Sequence, residues 1–267
     1  MTEIAIIAGR GGLPLALRDA VAGPVLVCAL EGYAPAGLVV DQEFRIERLA
    51  VLLDDLVTRG ISRVVFAGAV QRPRLDPALF DVKTAMLVPQ LMAAMQAGDD
   101  ATLRAVIAVF EDWGLTVVGV QDIAPDLVPG AGIFSGAVTD RDRADADRAA
   151  AIVAALGAVD VGQGCVVAQG LCLAVEALPG TDAMLAAVAG LGALRPDPAR
   201  GRGLFYKASK QGQDMRIDLP TLGPDTVRDV AEAGLGGIAW QAGGVICLDL
   251  PAMQAAAAAA GLFLWSR

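Results

Sequence analysis

The first 120 residues alternate two kinds of apolar pattern, and that alternation restricts the fold more than any other feature. Glu3 to Ala8, Pro24 to Leu30, Arg63 to Ala67 and Leu115 to Val120 are short and almost continuously apolar, the pattern of parallel strands buried on both faces. Between them Leu13 to Val21, Ile46 to Arg59, Lys83 to Gln96 and Asp100 to Trp113 carry the spacing of helices. Repeated βα units of this kind close into a doubly wound parallel sheet. The expectation is a Rossmann-like domain.

Gln121 to Ser135 holds Pro125, Pro129, Gly130 and Gly132 with little periodicity, and is read as a linker. The predicted division is 1–130 for the Rossmann-like domain and 131–267 for a second, catalytic α/β domain with a mixed sheet. In the second half, Thr139 followed by Asp142 marks a capping box for a helix running through Leu156. Cys165 to Ala168 and Leu171 to Ala177 flank Gln169-Gly170, a hairpin signature. Helices from Thr181 to Leu191 and Pro224 to Ala233 follow. Strands are expected at Gly237 to Trp240 and Val245 to Leu248, and a terminal helix from Pro251.

Composition narrows the chemistry. The chain has no histidine, which removes His general bases, Ser-His-Asp and Cys-His nucleophiles, and His-containing metal centres. What remains is carboxylates, Lys, Arg, hydroxyls, backbone amides, or a hard metal held by oxygen. The formal net charge of −9 argues against nucleic acid as a partner. Cys28, Cys165, Cys172 and Cys247 lie in apolar runs without C-x-x-C spacing, as small buried side chains in a reducing compartment do. No apolar run reads as a membrane span or signal peptide, so a cytoplasmic protein is expected.

Three clusters are candidates for function. The densest runs from Lys207 through Lys210, Asp214, Arg216 and Asp218 to Thr221. Asp214 to Leu219 alternates strictly, and as a strand it would turn Asp214, Arg216 and Asp218 to one face. Two such carboxylates could hold Mg²⁺ or orient a water, with Arg216 and the lysines neutralising a pyrophosphate. An ordinary solvated strand face has the same pattern. The second cluster is Gly9-Arg10-Gly11-Gly12-Leu13-Pro14, a turn whose amides at Gly11 and Gly12 suit an anion. Pro14 departs from the dinucleotide fingerprint, although Glu31 stands where a ribose contact would be. The third joins Gly68-Ala-Val-Gln-Arg72-Pro with Gly98-Asp99-Asp100. Arg72 is placed to meet a phosphate, and Asp99 or Asp100 reads first as a helix N-cap. Met86, Met92 and Met95 read as core or as an acyl groove.

Taken in order, Gly9 to Pro14, Gly68 to Pro73, Gly98 to Arg104, Glu176 with Gly180-Thr-Asp182, and Lys207 to Gly223 resemble the LpxI family across nearly the whole chain. The resemblance implies a lipid-nucleotide bound in a cleft between the two domains, and Mg²⁺-dependent hydrolysis of UDP-2,3-diacylglucosamine in lipid A synthesis without a His-rich metal centre. It implies a catalytic aspartate at Asp214 or Asp218, both possible metal ligands, with Arg216 beside them. It implies substrate contacts at Gly11, Gly12, Arg72, Asp99, Glu176, Asp182, Lys207, Lys210 and Thr221. At most peripheral contact with the inner membrane is expected, and a homo-oligomer is possible. The competing expectations are an NAD-linked oxidoreductase, suggested by the glycine turn, and a non-catalytic lipid-binding protein.

Overall fold

A computed structural model describes residues 3–70, 75–96 and 98–267, and for Asp99 and Asp100 the backbone alone. Arg72 therefore lies outside the described residues, as does the side chain of Asp99. The chain divides into two compact units, one of Met1–Pro125 with Asp214–Asp218, the other of Asp126–Gln213 with Leu219–Arg267.

The first unit is the βα repeat realised. Strands β1 (Ile4–Ala8), β2 (Leu26–Leu30), β3 (Gln42–Phe44), β4 (Arg63–Ala67) and β5 (Thr116–Val117) form one sheet in the order β3-β2-β1-β4-β5. All its pairings are parallel. Helix α1 (Leu13–Ala20) follows β1 and turns Leu13 and Leu17 inward, one helical turn apart. Helix α2 (Leu49–Thr58) buries Leu49, Leu52, Leu53 and Leu56. They meet Ile107 and Phe110 of α4 (Asp99–Asp112) in one core, and the single-turn α5 (Val120–Ile123) follows β5. Each such leucine contributes roughly 2 kcal/mol of apolar burial.

Helix α3 (Val82–Gln96) departs from the expectation of core. Leu87 and Leu91 pack inward. Val82 and Met86, however, are 81% and 77% exposed, and Met92 is also exposed. The helix is apolar all round, so its composition hides which side is inside.

The second unit is a sheet between helices. Its strands are β6 (Gly132–Ser135), β7 (Gly164–Ala168), β8 (Leu171–Val175), β9 (Leu204–Lys207), β11 (Gly237–Trp240) and β13 (Phe263–Ser266), in the order β6-β13-β11-β9-β7-β8. The β13-β11-β9 centre is parallel, and β6, β7 and β8 join antiparallel. Strand β10 (Thr221–Leu222) pairs separately with β12 (Ile246–Cys247). Side chains alternate across the sheet. Val166, Phe205, Ile238 and Trp240 pack with α7 (Gly180–Ala189), α8 (Pro224–Glu232) and α9 (Leu250–Ala260). Cys165, Val167, Leu204 and Tyr206 pack beneath α6 (Asp140–Ala158).

Helix α6 opens with the expected capping box, Thr139 Oγ1 accepting from the Asp142 amide at 3.2 Å and Asp142 accepting from the Thr139 amide at 2.9 Å. The β7–β8 hairpin turns at Gln169-Gly170, where buried Asp145 of α6 accepts from both turn amides at 2.9 and 2.7 Å. Two expectations change. The stretch read as a linker contains the edge strand β6, and the terminal apolar run contains both α9 and β13. Cys172 is exposed, whereas Cys28, Cys165 and Cys247 are buried. Among the described residues no helix is long and apolar enough to cross a membrane.

Candidate active site

The carboxyl edge of the first unit's sheet is where open α/β sheets take ligands. There the loops after β1 and β4 clasp each other. The Gly9 amide donates to Ala67 O at 2.7 Å, and Arg10 and Ala69 exchange two amide–carbonyl bonds of 2.9 Å. A Cβ on Gly9 would lie 2.6 Å from Ala69 O, and one on Gly68 2.6 Å from Arg10 O. Those two glycines thus permit a close approach of backbone to backbone. Gly11, at φ +102°, bends the chain into α1, and Gly12 is the N-cap with no side chain capping it. Pro14 sits at the start of α1, where a missing N–H costs nothing. Gly11 and Gly12 are exposed at the N-terminus of α1, the end of a helix that favours anions.

The predicted strand from Asp214 to Leu219 is not formed. Residues 215–217 are a turn, with the Ile217 amide donating to Asp214 O at 3.2 Å and the Asp218 amide reaching the same oxygen at 3.4 Å. Two local effects outweigh the alternation. Asp214 Oδ1 accepts from the Arg216 amide two residues on at 3.0 Å, the aspartate turn that competes with a ladder. Ile217 packs into the core of the first unit. Four residues of strand would have spread Asp214 and Asp218 by roughly 13 Å. One helical turn puts them about 6 Å apart along the chain axis.

Arg216 forks onto Asp214, with Nε to Oδ1 at 2.9 Å and Nη2 to Oδ2 at 2.7 Å, and its Nη1 reaches Glu111 Oε1 at 2.8 Å. Such bidentate charged pairs are the stronger hydrogen bonds in proteins. The Arg216 bonds hold the Asp214 carboxyl below the usual carboxylate range, and the charge of Arg104 adds to the effect. Asp214 in turn drives the guanidinium pKa upward. A carboxylate of depressed pKa is a weak base, suited to binding a cation or orienting water rather than removing a proton.

Among the described residues, no three carboxylate or cysteine side chains converge as a ready metal cage. Mg²⁺ does not require one, because it commonly takes one or two carboxylates and fills its octahedron with phosphate oxygens and water. Asp214 and Asp218 lie one turn apart in the chain, and both carboxylate oxygens of Asp214 accept from Arg216.

In the second unit, three predicted residues meet inside the fold. Buried Lys207 at the end of β9 donates to Thr181 Oγ1 at 2.6 Å and lies 3.2 and 3.3 Å from the two carboxylate oxygens of Glu176. Thr181 donates to Glu176 Oε1 at 2.9 Å, so its hydroxyl is a partner in this network and caps no helix. A Cβ on Gly164 would lie 2.7 Å from Glu176 Oε2, so glycine makes room for the carboxylate. Asp182 stays outside the network, exposed on the first turn of α7. Lys210 pairs with Asp160 at 2.5 Å. Thr221 begins β10.

Sequence reasoning missed Glu111. The signal was present: Arg104 belongs to the string shared with the family, and Glu111, seven residues later, lies on the same face of a helix.

The comparisons follow this geometry. The family model described as the LpxI N-terminal domain matches residues 3–127, and that of the LpxI C-terminal domain matches residues 130–265. The UDP-2,3-diacylglucosamine pyrophosphatase LpxI of Caulobacter vibrioides is 36% identical over 275 residues, an alignment covering 99% of this chain and 97% of that protein. The chain belongs to the LpxI family.

Proposed function

We propose that this chain hydrolyses the pyrophosphate bond of UDP-2,3-diacylglucosamine in lipid A synthesis, giving UMP and 2,3-diacylglucosamine 1-phosphate. The substrate follows from the likeness to the Caulobacter protein, which extends over 99% of the chain. The observation that carries the chemistry is the Asp214–Arg216 clasp, an anionic carboxylate beside a fixed guanidinium in a chain with no histidine.

In the reaction, the oxygen of water bonds to one phosphorus while the bond from that phosphorus to the bridging oxygen breaks. The bridging oxygen leaves with the other phosphate, and the protons of water pass to solvent and the product phosphates. Asp214 and Asp218 hold Mg²⁺ in this reading, and the ion when bound neutralises phosphate charge. Asp214 orients the water, since its depressed pKa suits it poorly to general base work. Arg216 fixes that carboxylate and offers positive charge to the transition state. The exposed amides of Gly11 and Gly12 take a phosphate. The protein acts in the cytoplasm, with peripheral contact to the inner membrane where its diacyl substrate resides.

The test is mass-spectrometric product analysis of purified protein with UDP-2,3-diacylglucosamine and Mg²⁺, beside an EDTA control and Asp214→Ala. UMP and the lipid monophosphate should form, and should vanish in both controls. Intact substrate throughout would overturn the reading, and NAD binding in its place would return the chain to the oxidoreductase class.

A further inference from the structure

Arg216 is gripped twice, and the two grips differ in what they fix. Its fork onto Asp214 joins residues two apart on one turn, so it sets the two side chains relative to each other and to nothing else. The bond from Nη1 to Glu111 Oε1, at 2.8 Å, reaches 105 residues back to the last turn of α4. Ile217 docks the backbone of the turn in the first unit's core. The Glu111 bond sets the direction in which the guanidinium points.

The stability of α4 does not explain Glu111. The last turn of this helix holds Glu111 and Asp112 and no basic residue, at the end whose dipole disfavours acids. The Glu111 side chain is also 45% exposed, and ion pairs so open to water add little to folding. What Glu111 does for its partner accounts for it better than what it does for its helix.

Among the described residues Arg216 donates once each through Nε, Nη1 and Nη2, which uses three of the five N–H groups of a guanidinium. The two that remain lie on Nη1 and Nη2, and the side chain is 36% exposed. Asp214 holds one edge of the planar group and Glu111 another, so the remaining N–H groups have a fixed heading. Donors fixed in advance of the reaction are what stabilisation of a developing phosphate charge requires.

We propose that Glu111 is a positioning residue for the hydrolysis, acting through Arg216 alone and aiming its two remaining N–H groups at the phosphates. This role rests on the hydrolysis proposed above and extends it to a residue that does not itself touch substrate.

The experiment is steady-state hydrolysis of UDP-2,3-diacylglucosamine at saturating Mg²⁺, with enough enzyme to follow the slowest variant. It compares the full chain with Glu111→Leu, Glu111→Gln, Arg216→Leu and the double variant Glu111→Leu with Arg216→Leu. Glu111→Leu should lower kcat by about tenfold or more and leave KM within about twofold. Its Tm should stay within about 3 °C of wild type. Glu111→Gln keeps an acceptor for Nη1 and should hold kcat within about threefold of wild type. In the Arg216→Leu background, loss of Glu111 should change kcat by less than about twofold, because its partner is already gone. Unchanged turnover in Glu111→Leu overturns the role, as does a Glu111→Gln as slow as Glu111→Leu. Losses that multiply in the double variant do the same, since Glu111 would then act on its own. A wild type that leaves the substrate intact sinks the pyrophosphatase and this role together, whereas any of the three results beside wild-type turnover sinks the role alone.

Discussion

Replacing Lys207 by Met asks whether the second unit's buried ion pair is scaffold or substrate contact. Met keeps the volume of the stem and removes the charge, leaving Glu176 with 13% of its side chain exposed and only Thr181 to bond it. Breaking a buried pair by removing one partner costs about 3–5 kcal/mol, because the other charge stays buried. The surviving Thr181 bond offsets about 1 kcal/mol. A loss of about 3 kcal/mol is therefore expected, equivalent to a Tm drop on the order of 10 °C. Urea unfolding followed by fluorescence of Trp240 and Trp265, both in the second unit, reads it directly. The double variant Lys207→Met with Glu176→Met leaves no orphaned charge, and should return to within about 1 kcal/mol of wild type. Its turnover should stay within a few fold of wild type. The reasoning is refuted if Lys207→Met unfolds less than 1 kcal/mol more easily, as an estimate on the same scale, yet abolishes hydrolysis. Lys207 would then spend its charge on substrate.

The Asp214 clasp makes a pH-dependent prediction. A carboxyl with depressed folded pKa adds stability above its unfolded value of about 3.9, and that stability is lost as pH falls through the folded value. Arg216→Gln removes the largest cause of the depression, so the stability gap between wild type and variant should be level above pH ~4 and close below it. A gap constant from pH ~7 to ~2 would contradict the assignment. Gly9→Ala forces a Cβ to 2.6 Å from Ala69 O and should destabilise the first unit by about 3 kcal/mol in a urea titration. Gly11→Ala meets no atom within 4 Å but inherits φ +102°, so its cost should be only about 1–2 kcal/mol. Exposed Cys172 should react with a maleimide in the native state. Cys28, Cys165 and Cys247, whose thiols burial pushes up to about 12, should react only on unfolding.

Much of the fold was legible because local and global signals agreed. The βα repeat named each strand from β1 to β5 except the short edge strand β3, whose Gln42-Glu-Phe44 is too polar and brief to register. Thr139 with Asp142 fixed the start of α6 within a residue. The illegible parts share a cause, a pattern with two physical solutions. Asp214 to Leu219 alternates like a strand, but an aspartate turn and one isoleucine docked in the first unit decide otherwise. The apolar run after Pro251 spells one helix until Gly261 adopts a left-handed φ of +63° and releases β13. At the candidate site, the family strings singled out Asp214 and Arg216, which the fold joins by two hydrogen bonds. Glu111 was hidden because its partner lies 105 residues away in sequence. The meeting of Glu176, Thr181 and Lys207 was likewise invisible, since only the folded sheet joins β9 to the start of α7.

The five residues Asp214–Asp218 count with the first unit although 88 residues of the second precede them. A ribosome releases the N-terminal unit without them. At roughly 5–20 residues per second, some 5–20 seconds of further synthesis pass before this piece is available. Until then the pocket for Ile217 stays open, and Glu111 waits without the guanidinium it will bind. Dividing the gene at the boundary between the two units would therefore yield an amino-terminal fragment deprived of Asp214 and Arg216. The early-made core is complete only once the late-made segment returns to it.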